Sequence, residues 1–223
     1  MSGQTNRLLT GLTAALISAV LVIAPVALVF GGLTQTLGQW QKVGFYLLSI
    51  IGGGVSGALG FQLSPGEKEL TRQRVVVWAG FVFVFLYVAS AALCEHIKVS
   101  IISWGLWSTL GFILFSLGLG LRIWAIAILG PFHSAFVARQ PGHTIVTRGP
   151  YRWLRHPSYL GLIIALIGIP MIFGTWFSLM AIPGVIVAIK WRLKDEEAFL
   201  VSEFGEEYEN YKKTTWRLFP KLY

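Results

Sequence analysis

The chain has 223 residues, of which 55% are hydrophobic and only 13% charged, with a mean hydropathy of +0.67. A soluble domain carries about twice that share of charge, so the composition excludes an ordinary water-soluble globule and points to an all-α, polytopic integral membrane protein. The net charge of +8 suggests a nucleic-acid partner only until the charges are located along the chain, and the single cysteine, Cys94, excludes an internal disulfide or a cysteine-built zinc site.

Apolar runs follow one another over residues 8–31, 43–63, 75–94 and 101–130, then as a short pair over 157–173 and 175–190. A spanning helix needs about 20 such residues, so about six transmembrane helices are expected. The last two, separated only by Gly174 and Thr175, read as a helical hairpin. No small-residue cleavage site follows the first run, which is therefore read as a retained helix. Within the second run, GGGVSG (52–57) matches the dinucleotide fingerprint in form only, because it lies inside a helix with no preceding strand. Gly53 and Gly57 instead have the small-xxx-small spacing that lets helices pack closely in lipid.

Six passes put both termini on one side, together with the loops at 64–74 and 131–156. Sixteen of the eighteen Lys and Arg residues then share that side, leaving Lys42 and Lys98 opposite. The positive-inside rule makes the charged side cytoplasmic. The net charge is then a topology signal, and no nucleic-acid partner is expected; the partner is the bilayer. The host would be the inner membrane in a prokaryote or the endoplasmic reticulum in a eukaryote. One structural domain is expected, with membrane helices over 1–130 and a chemical region over 131–223.

Polar residues gather in two places. The first is RGPYRWLRHPSYLG (148–161), where Arg148, Arg152, Arg155 and His156 crowd against the start of an apolar run. Proline disfavours the α region for its predecessor and suits a first helical turn, so a helix is predicted to start at Pro157 with His156 outside it. The free N–H groups of such a turn form an anion site, which Arg155 and His156 would strengthen. A turn at Gly149-Pro150 would fold HTIVTR back over the same point, with Tyr151, Trp153 and Tyr159 as walls of a cytosol-facing cofactor pocket. Alternatively the arginines simply hold the helix end at the lipid headgroups. The second cluster is RLKDEEAFLVSEFGEEYENYKK (192–213), expected to continue the last helix outward with Gly205 weakening it. Arg192 and Glu196 share a helix face and Glu197 points about 100° away. They form either a solvated ion pair or a site in which Arg192 grips a carboxylate with two hydrogen bonds.

HTIVTRGPYRWLRHPSYLG, followed by Gly168 and RLKDEEAFLVSEFGEEYENYKK, resembles the isoprenylcysteine carboxyl methyltransferase family over about 80 residues from His143 onward. The resemblance implies a membrane enzyme that moves a methyl group from S-adenosylmethionine to the C-terminal carboxylate of a prenylated cysteine. It further implies that His143, Thr144, Ile145, Val146, Tyr151, His156, Pro157, Ser158, Tyr159 and Glu196 hold the cofactor, while Arg192 binds the substrate carboxylate as the catalytic residue. No metal is implied. Family members can carry a glutamine before H-x-x-V where this chain has Val137, so the adenine contacts differ there.

A carboxylate is already ionised at neutral pH, so the implied reaction needs no general base. Methylation of a phospholipid amine or another small lipid is the alternative within the same chemistry, and would need a base near neutral pKa from Glu196 or His156. A sterol reductase using NADPH shares a similar R-H-x-x-Y-x-G end, and a non-enzymatic binder is the third rival. Arg122, near the inner end of the fourth run, either faces a cavity or snorkels to the interface. His96 and His133 are expected in loops and are assigned no role.

Overall fold

The computed structural model describes residues 2–59, 71–102, 105–133 and 144–219. Its described residues contain helices and no strands, only two isolated backbone bridges. The helices are α1 (Ser2–Phe30), the single turn α2 (Thr34–Leu37), α3 (Trp40–Ala58), α4 (Thr71–His96), α5 (Leu106–Leu129), α6 (Pro157–Ile172), α7 (Ile182–Phe204) and α8 (Glu206–Thr214).

Among the described residues, stretches of α1 (Asn6–Phe30), α4 (Val75–His96) and α5 (Leu106–Leu129) are long and apolar enough to cross a membrane. Their outer faces carry large bare hydrophobics, with Leu12 63%, Trp78 68% and Leu117 63% exposed. A soluble surface avoids contiguous apolar area on this scale, whereas lipid requires it. Helices also satisfy their own backbone hydrogen bonds, which the bilayer interior demands. The chain is an integral membrane protein.

Small residues fix how these helices meet. A Cβ placed on Gly57 would lie 2.6 Å from the Ala14 Cβ and from the Thr10 carbonyl, and one on Gly53 would lie 3.0 Å from the Ala14 carbonyl. Gly53 and Gly57 are therefore a packing face against α1, as their spacing predicts. The same device recurs between α5 and α6, where Gly111 faces Gly168 and Gly118 faces Gly161. A Cβ on Gly161 would come within 2.6 Å of the Gly118 carbonyl, and one on Gly168 within 2.5 Å of the Gly111 carbonyl. The pairing runs antiparallel, with partners seven residues apart on both helices.

At the end of the bundle away from the R-H-P turn, Lys42 of α3 and Glu95 of α4 form a buried ion pair, with Lys42 Nζ donating to both carboxylate oxygens at 2.6 and 2.5 Å. Lys42 is fully buried, and its ammonium also lies 5.7 Å from the Phe30 ring centre and 5.2 Å from that of Phe173. Around it pack Val26, Phe45, Tyr46, Val88, Ala91, Phe115 and Ile172. The sequence places Lys42 among the few charges on its side; the structure buries it, with Glu95 and two ring faces offsetting its loss of water.

The expected run at 101–130 becomes helix only from Leu106, after Gly105 at φ +113°. Ile101 instead bridges Thr175 across the bundle end, with the Ile102 amide donating to the Gly174 carbonyl at 2.8 Å. The hairpin turn is also longer than Gly174-Thr175. A 3-10 turn over Phe177–Ala181 intervenes, and α7 starts with Pro183 in its first turn. The helix then runs past Lys190 to Phe204, where Gly205 at φ +54° ends it and α8 begins.

Candidate active site

The basic segment folds much as its prolines dictate. Gly149, at φ +59°, opens a 3-10 turn through Arg152 with Pro150 buried inside it. His156 is non-helical, at φ −128° and ψ 56°, and Pro157 is the first residue of α6. Within that first turn the Tyr159 and Leu160 amides both donate to the His156 carbonyl, at 3.2 and 3.3 Å.

Residues after α8 then run alongside this turn. Leu154 bridges Trp216 in parallel. The Trp216 amide donates to the Trp153 carbonyl at 2.9 Å, the Arg155 amide to the Trp216 carbonyl at 2.8 Å, and the His156 amide to the Arg217 carbonyl at 3.2 Å. Leu218 is fully buried and closes a cluster with Ile163 of α6 and Ile189 and Leu193 of α7. The tail thus joins the R-H-P turn to α7, which carries the acidic residues.

His156 lies between two carboxylates and is only 4% exposed. Its Nδ1 is 3.5 Å from Glu196 Oε1 and its Nε2 is 3.2 Å from Glu197 Oε1. With an acceptor at each ring nitrogen, the imidazolium is the matching form. Burial alone would lower its pKa, but the bonds and charges of Glu196 and Glu197 outweigh it and hold the value above the ordinary one. Burial likewise opposes ionisation of the two glutamates, yet His156 with Arg155 brings Glu197 down to about 2, and His156 with Arg192 and Tyr159 holds Glu196 below the usual range.

Glu197 is the most heavily bonded residue of the group. It also accepts from Arg155 Nε at 2.9 Å and from an Arg217 terminal nitrogen at 3.0 Å. One expectation is corrected here. Arg155 does not stand ready for an anion, because it is committed to Glu197 and to the carbonyls of Lys212 and Thr215. Glu197 meets the Nε2 side of His156 while Glu196 meets the Nδ1 side, and Arg217 of the tail shares the Glu197 carboxylate. Trp153 is a second correction. It is half exposed with the Arg152 guanidinium 4.7 Å over its ring, so it is no pocket wall.

Glu196 is the partly exposed member, and its Oε2 accepts from the Tyr159 hydroxyl at 3.0 Å. The Arg192 charge, one turn earlier on α7, acts on the same hydroxyl. Arg122 enters from α5, donating to Ser158 Oγ at 2.9 Å and to the Ser158 carbonyl at 3.2 Å. This settles its orientation inward, and its charge also acts on Tyr151 and Tyr159. His133, given no role by the sequence, lies near Arg122 and Glu196. Burial, then the Arg122 charge, lowers its pKa to about 4, so it stays neutral.

Of the residues singled out by sequence, the structure therefore gathers His156, Pro157, Ser158, Tyr159, Arg192 and Glu196 in one place. Tyr151 is buried beside them, its carbonyl accepting from the Tyr211 hydroxyl at 2.6 Å. Thr144 is exposed and Ile145 and Val146 half-buried in the extended segment leading to the turn. His143 and Val137 lie outside the described residues. Sequence reasoning gave Glu197 and Arg217 no part in the site and left Arg122 between a cavity and the interface; the paired glutamates of KDEE were the available signal for Glu197.

Comparison with known proteins meets this region from a separate direction. Residues 109–202 match the model of the isoprenylcysteine carboxyl methyltransferase family. A protein-S-isoprenylcysteine O-methyltransferase of Schizosaccharomyces pombe is 40% identical over 109 residues, covering 48% of this chain and 45% of its own. The Homo sapiens protein of the same name is 42% identical over 77 residues, covering 32% and 25%. A Bacillus subtilis protein, YpbQ, is 27% identical over 78 residues, covering 34% and 46%. The matches thus span less than half the length of these curated relatives. A solved structure of a eukaryotic intramembrane Ras methyltransferase covers 97% of this chain and 73% of its own at 23% identity, with a TM-score of 0.49. Residues 109–202, which hold most of α5, the R-H-P turn, α6 and both glutamates of α7, are thus similar to the isoprenylcysteine carboxyl methyltransferase family.

Proposed function

We propose that the chain transfers a methyl group from S-adenosylmethionine to the C-terminal carboxylate of an isoprenylated cysteine, forming a methyl ester at the cytosolic face. The observation that carries this reading is the meeting of the R-H-P turn with Arg192 and Glu196, at the level where the apolar part of α7 ends. Six spans are completed by α3, by α6 and by α7 up to Lys190, with both termini cytoplasmic. Residues 1–130 build the membrane scaffold, 131–223 the chemical region, and together they form one domain.

The donor set suits the cofactor. Glu196 is a partly exposed, ionised carboxylate whose second oxygen is already oriented by Tyr159, which fits an ammonium or a pair of ribose hydroxyls. The positive end of the α6 dipole suits a carboxylate. His143, Thr144, Ile145, Val146, Tyr151, His156, Pro157, Ser158, Tyr159 and Glu196 would hold S-adenosylmethionine, which supplies a methyl group on a positively charged sulfur. His156 keeps its proton and serves as a fixed cation that orients the two glutamates. Arg192 holds the substrate carboxylate by a two-pronged hydrogen bond. Positioning two reactants in line is worth up to about 7–11 kcal/mol, and excluding water from the carboxylate adds to it.

The electrostatics bear on the amine alternative. A general base works best with a pKa near neutrality. Glu196 is held below the usual carboxylate range, and His156 faces a carboxylate at each ring nitrogen, which leaves it no open lone pair to take a proton from an amine. Neither hinders attack by a carboxylate, which needs no base.

The deciding experiment incubates membranes containing the protein with labelled methyl donor and a farnesyl-cysteine analogue, a phospholipid, or no acceptor. Label released by mild base from the farnesyl compound is the expected result. Base-resistant label in phospholipid would replace this reading with amine methylation, and no label in either would leave the reductase or the binder.

A further inference from the structure

The segment Thr215–Phe219 does more than end the chain. Its Trp216 and Arg217 carbonyls accept the amides of Arg155 and His156, so it sets the backbone from which the His156 ring projects. Arg217 also donates to Glu197 Oε2, while Arg155 and His156 hold Oε1. The rotation of that carboxylate is therefore fixed from three directions, one of them the tail. Leu218, locked between α6 and α7, keeps the strap in register. The family match ends at residue 202, before this segment begins.

We propose that Arg217 is a positioning residue of the site: through Glu197 and the strap it fixes His156, and so presents Glu196 and Tyr159 to the methyl donor. The inference rests on the reading of this site as the methyl-donor site. Arg217 does not touch the reacting atoms. Its effect passes through a buried carboxylate that would otherwise be shared by two cations instead of three, and through a backbone pairing that would lose its anchor on α7.

The test uses the full chain in detergent micelles, comparing wild type with Arg217→Ala and Arg217→Lys. S-adenosylhomocysteine is titrated by calorimetry, reading Kd and stoichiometry separately. Arg217→Ala is expected to weaken binding about 10–100-fold at unchanged stoichiometry, the range set by one lost charge-assisted hydrogen bond. Arg217→Lys should recover most of the loss, since it restores the charge but not the planar fork. A purely structural role would lower the binding fraction and leave the Kd of that fraction unchanged, and that result overturns the proposal. Should wild type bind no S-adenosylhomocysteine, the methyl-donor reading fails by itself. The strap is then judged on the ring titration of isotope-labelled His156, expected to shift in Arg217→Ala; identical titration in both proteins overturns it.

Discussion

Glu197→Gln is the perturbation that most directly probes the buried charge cluster. It keeps the side-chain volume and one acceptor oxygen while deleting the negative charge that Arg155, His156 and Arg217 share. Each hydrogen bond to a charged group is worth about 1.5–3 kcal/mol, but adding three of them overshoots, because Gln still accepts one and the cations compete for two oxygens. The better guide is the cost of breaking a buried ion pair, about 3–5 kcal/mol, since the Glu197 side chain is only 11% exposed. The pH dependence follows from the two shifts. Glu197 titrates near 2 in the folded protein against an ordinary 4.5, so its stabilisation is complete above the ordinary value and is lost as pH falls toward 2. His156 is shifted upward from 6.5, so its contribution is complete below that and is lost as pH rises through its folded value. Unfolding of purified protein in detergent, followed by circular dichroism, should show the variant less stable by that amount at neutral pH. Its deficit should shrink toward pH 2, where wild type loses the same charge. A loss below about 1 kcal/mol, or a deficit independent of pH, would refute this account of the cluster.

Two further outcomes are expected. Arg192→Ala should abolish methyl transfer while S-adenosylhomocysteine still binds, read by the labelled-methyl assay and by calorimetry side by side; full activity would remove Arg192 from the mechanism. Lys42→Ala should destabilise the bundle by about 3–5 kcal/mol by stranding Glu95, whereas Lys42→Met with Glu95→Leu should recover most of it, because an apolar pair avoids the desolvation cost. Detergent unfolding of the single and double variants measures both.

How far the sequence reaches depends on how local the cause is. Pro157 starts α6, Gly149-Pro150 turns, Gly205 breaks α7, and Gly53 and Gly57 meet α1, each because the governing constraint acts within a few residues. Glu196 and Glu197 show the opposite case. Helical periodicity separates their directions but cannot say that His156 lies between them, since that depends on where the loop and the tail beginning at Thr215 come to lie. Arg155 was misread for the same reason, its partners being Glu197, Lys212 and Thr215. Lys42 and Glu95 are 53 positions apart, and nothing near either residue marks the other. The two-residue hairpin failed on a subtler point: an apolar stretch was counted as helix, although Pro183 delays the α7 ladder and Phe177–Ala181 take up the slack as a tighter coil.

The glycine contacts between α5 and α6 carry one more consequence. With bare backbones touching at two levels, these helices have no compliant layer of side chains between them and must tilt as one body. A long membrane helix adjusts its lean to bilayer thickness. Whatever lean the surrounding lipid imposes on α5 is thereby handed to Pro157 at the mouth of the site, so lipid composition becomes a mechanical input to its geometry.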